Sequence, residues 1–192
     1  MQNSVDISVA IPDSCLSDEQ TLLGKTMKLG QIARASSIFN VKNIYIYQDA
    51  DFRDQKTERK LIKLVLKYLD TPQYLRKTLF PLTAELKYAG MLPPIRAPHH
   101  RDWIDIKNIK EGEIRVGVVV GIKGKLFVDV GLSRPIPFEG KKPVGIKLNL
   151  RIKSSFPHLR AEEVDRGKIN EYWGFEVNDA GSLHSLLEQI NN

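Results

Sequence analysis

The stretch Val5-Asp6-Ile7-Ser8-Val9-Ala10-Ile11 alternates, with Val5, Ile7, Val9 and Ile11 on one side. That period marks a β-strand, and Pro12 ends it. Ser17 and Gln20 then have capping-box spacing, which predicts a helix starting there. Leu23, Met27, Gln31 or Ile32, Ala35 and Phe39 follow the helical period as its inward face. Gly24 and Gly30 each cost about 1 kcal/mol of propensity, so tertiary packing has to hold this helix. Asn40 is the expected stop, and Ile44-Tyr-Ile-Tyr47 a second strand. After a polar turn from Asp49 to Asp54, a helix is predicted from about Thr57 to Leu69, with Leu61, Leu64, Val65, Tyr68 and Leu69 inward. Strand, helix, strand, helix is the opening of a mainly parallel sheet flanked by helices.

Asp70-Thr71-Pro72 punctuates the chain. Thr71 suits the cap of a new helix and Pro72 its first position. Phe80-Pro81 repeats the device before a helix expected to end near Gly90, with Leu82, Leu86 and Ala89 as its apolar face. Pro93, Pro94 and Pro98 stiffen an extended connector. From Trp103 the character changes. Ile114–Ile122, Leu126–Val130, Ile136–Phe138 and Val144–Ile152 are short strand candidates separated by glycines. That density of short strands predicts a small twisted barrel, with Gly121-Ile-Lys-Gly124 as a hairpin loop. Residues 162–168 read as a charged turn, Tyr172–Val177 as a returning strand, and Ser182–Ile190 as a terminal helix with Leu183, Leu186, Leu187 and Ile190 inward before Asn192. The expected organisation is an α/β domain over 1–97, a basic β module over 98–165, and a return to the α/β domain over 166–192.

The 192 residues carry a net charge of +6. Residues 1–97 hold 14 Lys/Arg against 10 Asp/Glu, residues 98–165 hold 13 against 9, and residues 166–192 hold 2 against 4. The middle segment is the densest in positive charge, which favours a polyanionic partner such as nucleic acid. The single Cys15 excludes an internal disulfide and a Cys-based zinc cluster. Apolar runs fall short of the ~20 residues of a membrane span, and the first residues lack a secretory pattern. A soluble, cytoplasmic protein is the expectation.

Arg34, amid Ala33, Ala35, Ser36 and Ser37, is placed to reach a phosphate or carboxylate closely; a salt bridge within its own domain is the alternative. Arg96, His99, His100 and Arg101 form a basic cluster suited to an RNA backbone, or a solvated linker. Two adjacent histidines point in different directions and rarely chelate one metal alone, and no carboxylate or cysteine completes a recognisable site in the sequence. In the β module, Lys107, Lys110, Arg115, Lys123, Lys125, Lys141, Lys142 and Lys147 are candidate phosphate contacts, with Arg134, Arg151 and Lys153 among them. Phe127 and Phe138 are candidate base platforms, although one strand face must be core. Asp49, Asp51 and Asp54 fit a solvated turn as well as a metal. No P-loop or dinucleotide fingerprint is present.

Val5-D-I-S-V-A-I-P-D13, I32-A-R-A-S-S-I-F-N-V41, I44-Y-I-Y47, Y68-L-D-T-P-Q-Y-L-R76 and F80-P81 together resemble the knotted, SPOUT-class RNA methyltransferases with an inserted OB-like module. The likeness continues through L86-K-Y-A-G-M-L-P-P94, R96-A-P-H-H100, V128-D-V-G131 and Y172-W-G-F-E-V177. It implies a partial SPOUT-like α/β domain with an incomplete knot and a small inserted OB-like β-barrel. It also implies S-adenosylmethionine-dependent methylation of RNA bases, including ribosomal uridine, with Arg34 near the substrate, RNA on the barrel and dimeric assembly.

In that family the cofactor sits in a C-terminal knot, formed by residues beyond the position of Leu187. The sequence ends at Asn192, and a methyl donor needs an enclosing pocket for positioning. The expectation drawn is a noncatalytic ribosomal RNA-binding component without a cofactor, partnered by ribosomal RNA and neighbouring ribosomal proteins. The alternatives are a fragment of an RNA methyltransferase and a protein–protein adaptor.

Overall fold

The computed structural model describes residues 6–52, 55–138 and 140–191. Val5 of the expected first strand, Asp54 of the expected turn and the terminal Asn192 lie outside the described residues. Two compact units are present. The first draws on Met1–Asp70, Leu82–Arg96 and Gly174–Asn192; the second on Thr71–Pro81 and Ala97–Trp173. No helix among the described residues is long and apolar enough to cross a membrane. The fold is mixed α/β with one parallel and one curled antiparallel sheet.

In the first unit, β1 (Ile7–Pro12), β2 (Val41–Gln48) and β8 (Glu176–Ser182) form a parallel sheet of order β1-β2-β8. Val9 sits opposite Ile44, and Ile44 opposite Val177. The sheet is completed by a strand more than a hundred residues downstream of its neighbour. β8 begins later than the expected Tyr172 start, because Trp173 belongs to the second unit.

Helix α1 (Leu22–Ile38) starts at Thr21, whose hydroxyl accepts the Gly24 N–H at 3.0 Å. Ser17 is not the cap, since its own N–H is held by the Ser14 carbonyl in a turn. The inward face is Thr26, Leu29, Ala33, Ser36 and Ser37. Leu23, Met27, Ala35 and Phe39 are exposed, contrary to the face read from the sequence. Small residues won because they permit close approach: a Cβ on Gly30 would lie 3.0 Å from Leu92. Asn40, at φ 54°, is the left-handed stop expected there.

Helix α2 (Lys56–Leu69) buries Leu61, Ile62, Val65, Leu66 and Leu69, a stripe rotated so that Leu64 and Tyr68 are only half-buried. The helix expected near Pro81–Gly90 is two single 3₁₀ turns, Ala84–Leu86 and Ala89–Met91, with Leu82 fully exposed. So short a segment with little to bury does not offset helix nucleation. Helix α4 (Leu183–Asn191) is capped by Ser182, which accepts the Ser185 N–H. Only Leu186 of its four leucine and isoleucine positions is buried.

The second unit begins with α3 (Gln73–Leu79), one residue later than expected, with Pro72 as its cap residue. Then β3 (Ile114–Ile122), β4 (Lys125–Asp129), β5 (Ile136–Pro137), β6 (Lys147–Ser154) and β7 (Arg160–Glu163) form an antiparallel sheet of order β5-β4-β3-β6-β7. The last two residues of β7, Glu162 and Glu163, fall in the stretch 162–168 read from sequence as a charged turn. Ala161 of β7 pairs with Ile152, which supplies the alternation the sequence concealed.

The sheet curls, and alternation gives it two cores. One face packs Val119, Val128, Val130, Leu148, Leu150 and Ile152 with Ile106 and Ile109. The other packs Val116 and Val118 with Leu75 and Trp173. The first is so tight that a Cβ on Gly117 would lie 2.6 Å from Val128.

Candidate nucleic-acid interface

The hairpin joining β3 to β4 has two loop residues. Ile122 pairs with Lys125, leaving Lys123 (φ 49°) and Gly124 (φ 76°) between them. Two successive positive φ values match the twist of the flanking strands. The turn therefore holds Lys123 at the tip, with Lys125 beside it, both exposed.

The segment before β6 returns along β3. The Gly145 N–H donates to the Val119 carbonyl at 2.8 Å, and the Val119 N–H to the Ile146 carbonyl at 3.0 Å. This brings exposed Lys141, Lys142 and Lys147 towards the hairpin end of the sheet. Ile122, Val144 and Ile146 are exposed among them. Lys142 reaches Glu163 at 3.3 Å, both half-exposed, a pair worth little in solvent. Lys107 and Lys110 are turned outward because Ile106 and Ile109, each one residue earlier, are anchored in the core.

Arg115 is placed differently. Its side chain is 2% exposed. Nε donates to Glu113 Oε1 at 2.8 Å, Nη1 to the carbonyls of Val130 (2.8 Å) and Gly131 (3.1 Å), and Nη2 to that of Asp102 at 2.6 Å. The guanidinium also lies 5.6 Å from the Tyr74 ring centroid. Inward-facing position 115, opposite Leu150, turns this cation into an anchor rather than a surface contact. Tyr74 completes the arrangement by donating to the Val116 carbonyl at 2.7 Å, and burial pushes its hydroxyl pKa upward. Gly131 (φ 73°) is needed here, since a Cβ would meet the Tyr74 ring at 2.6 Å. The Tyr74–Arg115–Gly131 hub was missed in the sequence, where its three parts lie in separate segments.

Arg34 is exposed on α1, on the same face as Leu23, Met27 and Ile38, and has no ion pair among the described residues. Arg96 is exposed at the end of a first-unit segment, while His99, His100 and Arg101 belong to the second unit. His99 is buried, its ring 4.3 Å from that of His100 and 5.9 Å from Trp173. Trp173 in turn donates to Asn149 Oδ1 at 2.8 Å. Arg101 is exposed and meets Glu171 at 3.4 Å. Arg151 and Lys153 both approach Glu162, at 3.9 and 3.1 Å, so β7 offsets part of the basic charge of β6.

In the first unit, the carboxyl ends of β1 and β2 bring Asp13, Ser14 and Asp49 together, the usual place for a ligand on a parallel sheet. Asp13 Oδ1 accepts the Asp49 N–H at 3.0 Å and Oδ2 the Arg59 Nη2 at 2.7 Å. The Ser14 hydroxyl donates to Asp49, whose other oxygen accepts the Asp51 N–H. Among the described residues this turn is held together by its own hydrogen bonds.

The model of a family described as putative RNA methyltransferase matches residues 6–192. A 28S rRNA (uridine-N(3))-methyltransferase of Mus musculus is 30% identical over 207 residues, covering 95% of this chain and 52% of the relative. The protein of that description in Homo sapiens is 30% identical over 208 residues, covering 95% and 54%. An uncharacterized protein of Halobacterium salinarum is 32% identical over 164 residues, covering 82% and 56%. The chain thus spans about half the length of the curated relatives it matches.

These matches overturn the expectation of a noncatalytic ribosomal component, of a protein that is not an enzyme, and of a chain without a cofactor. The likeness runs through nearly every residue of the chain, so its content aligns with methyltransferases, and where it stops carries no weight against that. The chain belongs to the putative RNA methyltransferase family, of the SPOUT class.

Proposed function

We propose that the protein is an S-adenosylmethionine-dependent RNA methyltransferase acting on a uridine of ribosomal RNA. The observation that carries this reading is a family match over residues 6–192 together with relatives named as 28S rRNA (uridine-N(3))-methyltransferases aligned over 95% of the chain. When bound, the cofactor supplies an electrophilic methyl group. The described residues at the strand ends of the parallel sheet do not fit it: Asp13, Ser14 and Asp49 are spent on one another and on Arg59.

The part of this chain's own residues in the reaction is to hold the RNA. The curled β unit serves as an OB-like RNA-engaging module. Exposed Lys107, Lys110, Lys123, Lys125, Lys141, Lys142 and Lys147 supply the phosphate contacts, with Arg96 and Arg101 beside them in sequence. Arg34, exposed and without an ion pair among the described residues, faces substrate or a second copy of the chain. Pairing with that copy is supported by the exposed Leu23, Met27 and Ile38 around it.

The test is transfer of labelled methyl from S-adenosylmethionine to ribosomal RNA by the whole protein, followed by nucleoside analysis. Methyluridine is the expected product. Cofactor binding by calorimetry with no methyl transfer to any ribosomal RNA would refute the substrate. No cofactor binding would refute the reaction.

A further inference from the structure

The two outer strands of the curled sheet, β5 and β7, approach one another outside the hydrogen-bonded ladder. At this seam lies a cleft of about 490 Å³, within the roughly 300–1,000 Å³ usual for small-ligand sites. Its walls include Phe127 from β4, Pro137 from β5, and Pro157 and His158 from the segment before β7. Arg134 and Arg160 complete it.

Phe127 is half-buried and packs into neither core of the unit, whereas Phe138 packs against the Val119–Val128 core. Both arginines are exposed, and neither side chain has a hydrogen bond or ion pair among the described residues. No described acidic residue lines the cleft. Flat rings on walls fixed by proline, next to two guanidiniums without carboxylate partners among the described residues, match a base joined to phosphate.

We propose that this seam takes an unpaired nucleotide of single-stranded RNA. The base lies against Phe127 between the proline walls, and Arg134 and Arg160 hold the flanking phosphates. A base inside a duplex does not offer its face, so the site selects single strands. The inference rests on the reading of this protein as an RNA-binding enzyme and adds to it the form of RNA engaged. It is separate from the lysines of the hairpin end, which grip phosphate without regard to pairing.

The experiment measures fluorescence anisotropy of the whole protein with an oligouridylate of about ten nucleotides, within the ~4–16 a small barrel covers, and with a duplex of about ten base pairs. Phe127→Leu removes the stacking plane, and Arg134→Gln with Arg160→Gln removes the phosphate partners. Each is expected to weaken single-strand binding about tenfold while duplex binding changes by less than about twofold. The arginine pair should also lower the salt slope on the single strand by about 1.4. A photoreactive uridine in the strand should crosslink to the peptide holding Phe127 or that holding His158.

Single-strand binding that survives both sets of changes, with crosslinks elsewhere, overturns the seam and leaves the RNA reading standing. Equal loss on strand and duplex also overturns it. Failure of the wild-type protein to bind any RNA overturns both readings. Should Phe127→Leu unfold the unit, the exposed arginine pair alone decides the outcome.

Discussion

Replacing Arg115 by Ala is expected to unfold the β unit at much lower denaturant without any specific effect on RNA affinity. The guanidinium is 2% exposed and bonded to a Glu113 carboxylate that is 20% exposed. It also satisfies the carbonyls of Asp102, Val130 and Gly131. Breaking a buried ion pair from one side costs about 3–5 kcal/mol, because the remaining charge is left uncompensated. Each orphaned carbonyl adds about 1 kcal/mol unless water reaches it, and these terms overlap rather than add. A loss of about 4 kcal/mol, at a urea dependence of roughly 2 kcal/mol/M, moves the midpoint by about 2 M. Arg115→Lys keeps the charge but not the fork, and should recover less than half of the loss. The assay is urea unfolding followed by tryptophan fluorescence, since Trp173 packs in the same unit. A midpoint shift below about 0.5 M, or loss of RNA affinity at unchanged stability, would refute the anchor and return Arg115 to the surface role its charge suggests.

Gly117→Ala should destabilise the same unit by about 1–3 kcal/mol, because its Cβ would sit 2.6 Å from Val128 and 2.8 Å from Val130; thermal unfolding measures it, and an unchanged melting temperature would count against the tight core. Lys123→Glu with Lys125→Glu should weaken RNA binding by more than tenfold and lower the salt slope on duplex RNA by about 1.8, read in a filter assay at several salt concentrations; unchanged binding would remove the hairpin from the interface. The Cys15 thiol is pushed up to about 11, mainly by burial and partly against the pull of Lys28. Its neutral form is the one the fold favours, so at pH 8 only about one thiol in a thousand is ionised. Alkylation should run on the order of 20-fold slower than for a free cysteine, after allowing for the greater nucleophilicity of a high-pKa thiolate. Equal rates in folded and urea-unfolded protein would contradict that burial.

Much of the fold was legible because its signals are local. Alternation in Ile7–Ile11, the apolar run Ile114–Ile122 bounded by glycines, and the helical stripe around Leu61–Leu69 each lie within one element. The face of α1 was not legible. Leu23 and Met27 are the more hydrophobic side chains, yet Thr26, Ala33, Ser36 and Ser37 go inside because the backbone must come close to its neighbours. β7 hid for a related reason: Arg160, Glu162 and Glu163 look like a solvated turn until Ala161 meets Ile152 across the ladder. Among candidate site residues, charge told where cations are plentiful but not which way each points. Lys123 and Arg115 have equal standing in sequence, and their strand positions separate them: one at the tip of a turn, the other opposite Leu150.

By itself the sequence determined the element types, the basic character of the middle segment and the family, since periodicity, net charge and ordered motifs survive without knowledge of contacts. Tertiary structure alone decided that Arg115 is an anchor, that Phe127 rather than Phe138 is left outside the cores, and that Arg134 and Arg160 meet at one seam. Those facts depend on register and sheet curvature, which bring together residues separated by tens of positions, and no local pattern along the chain encodes such a meeting.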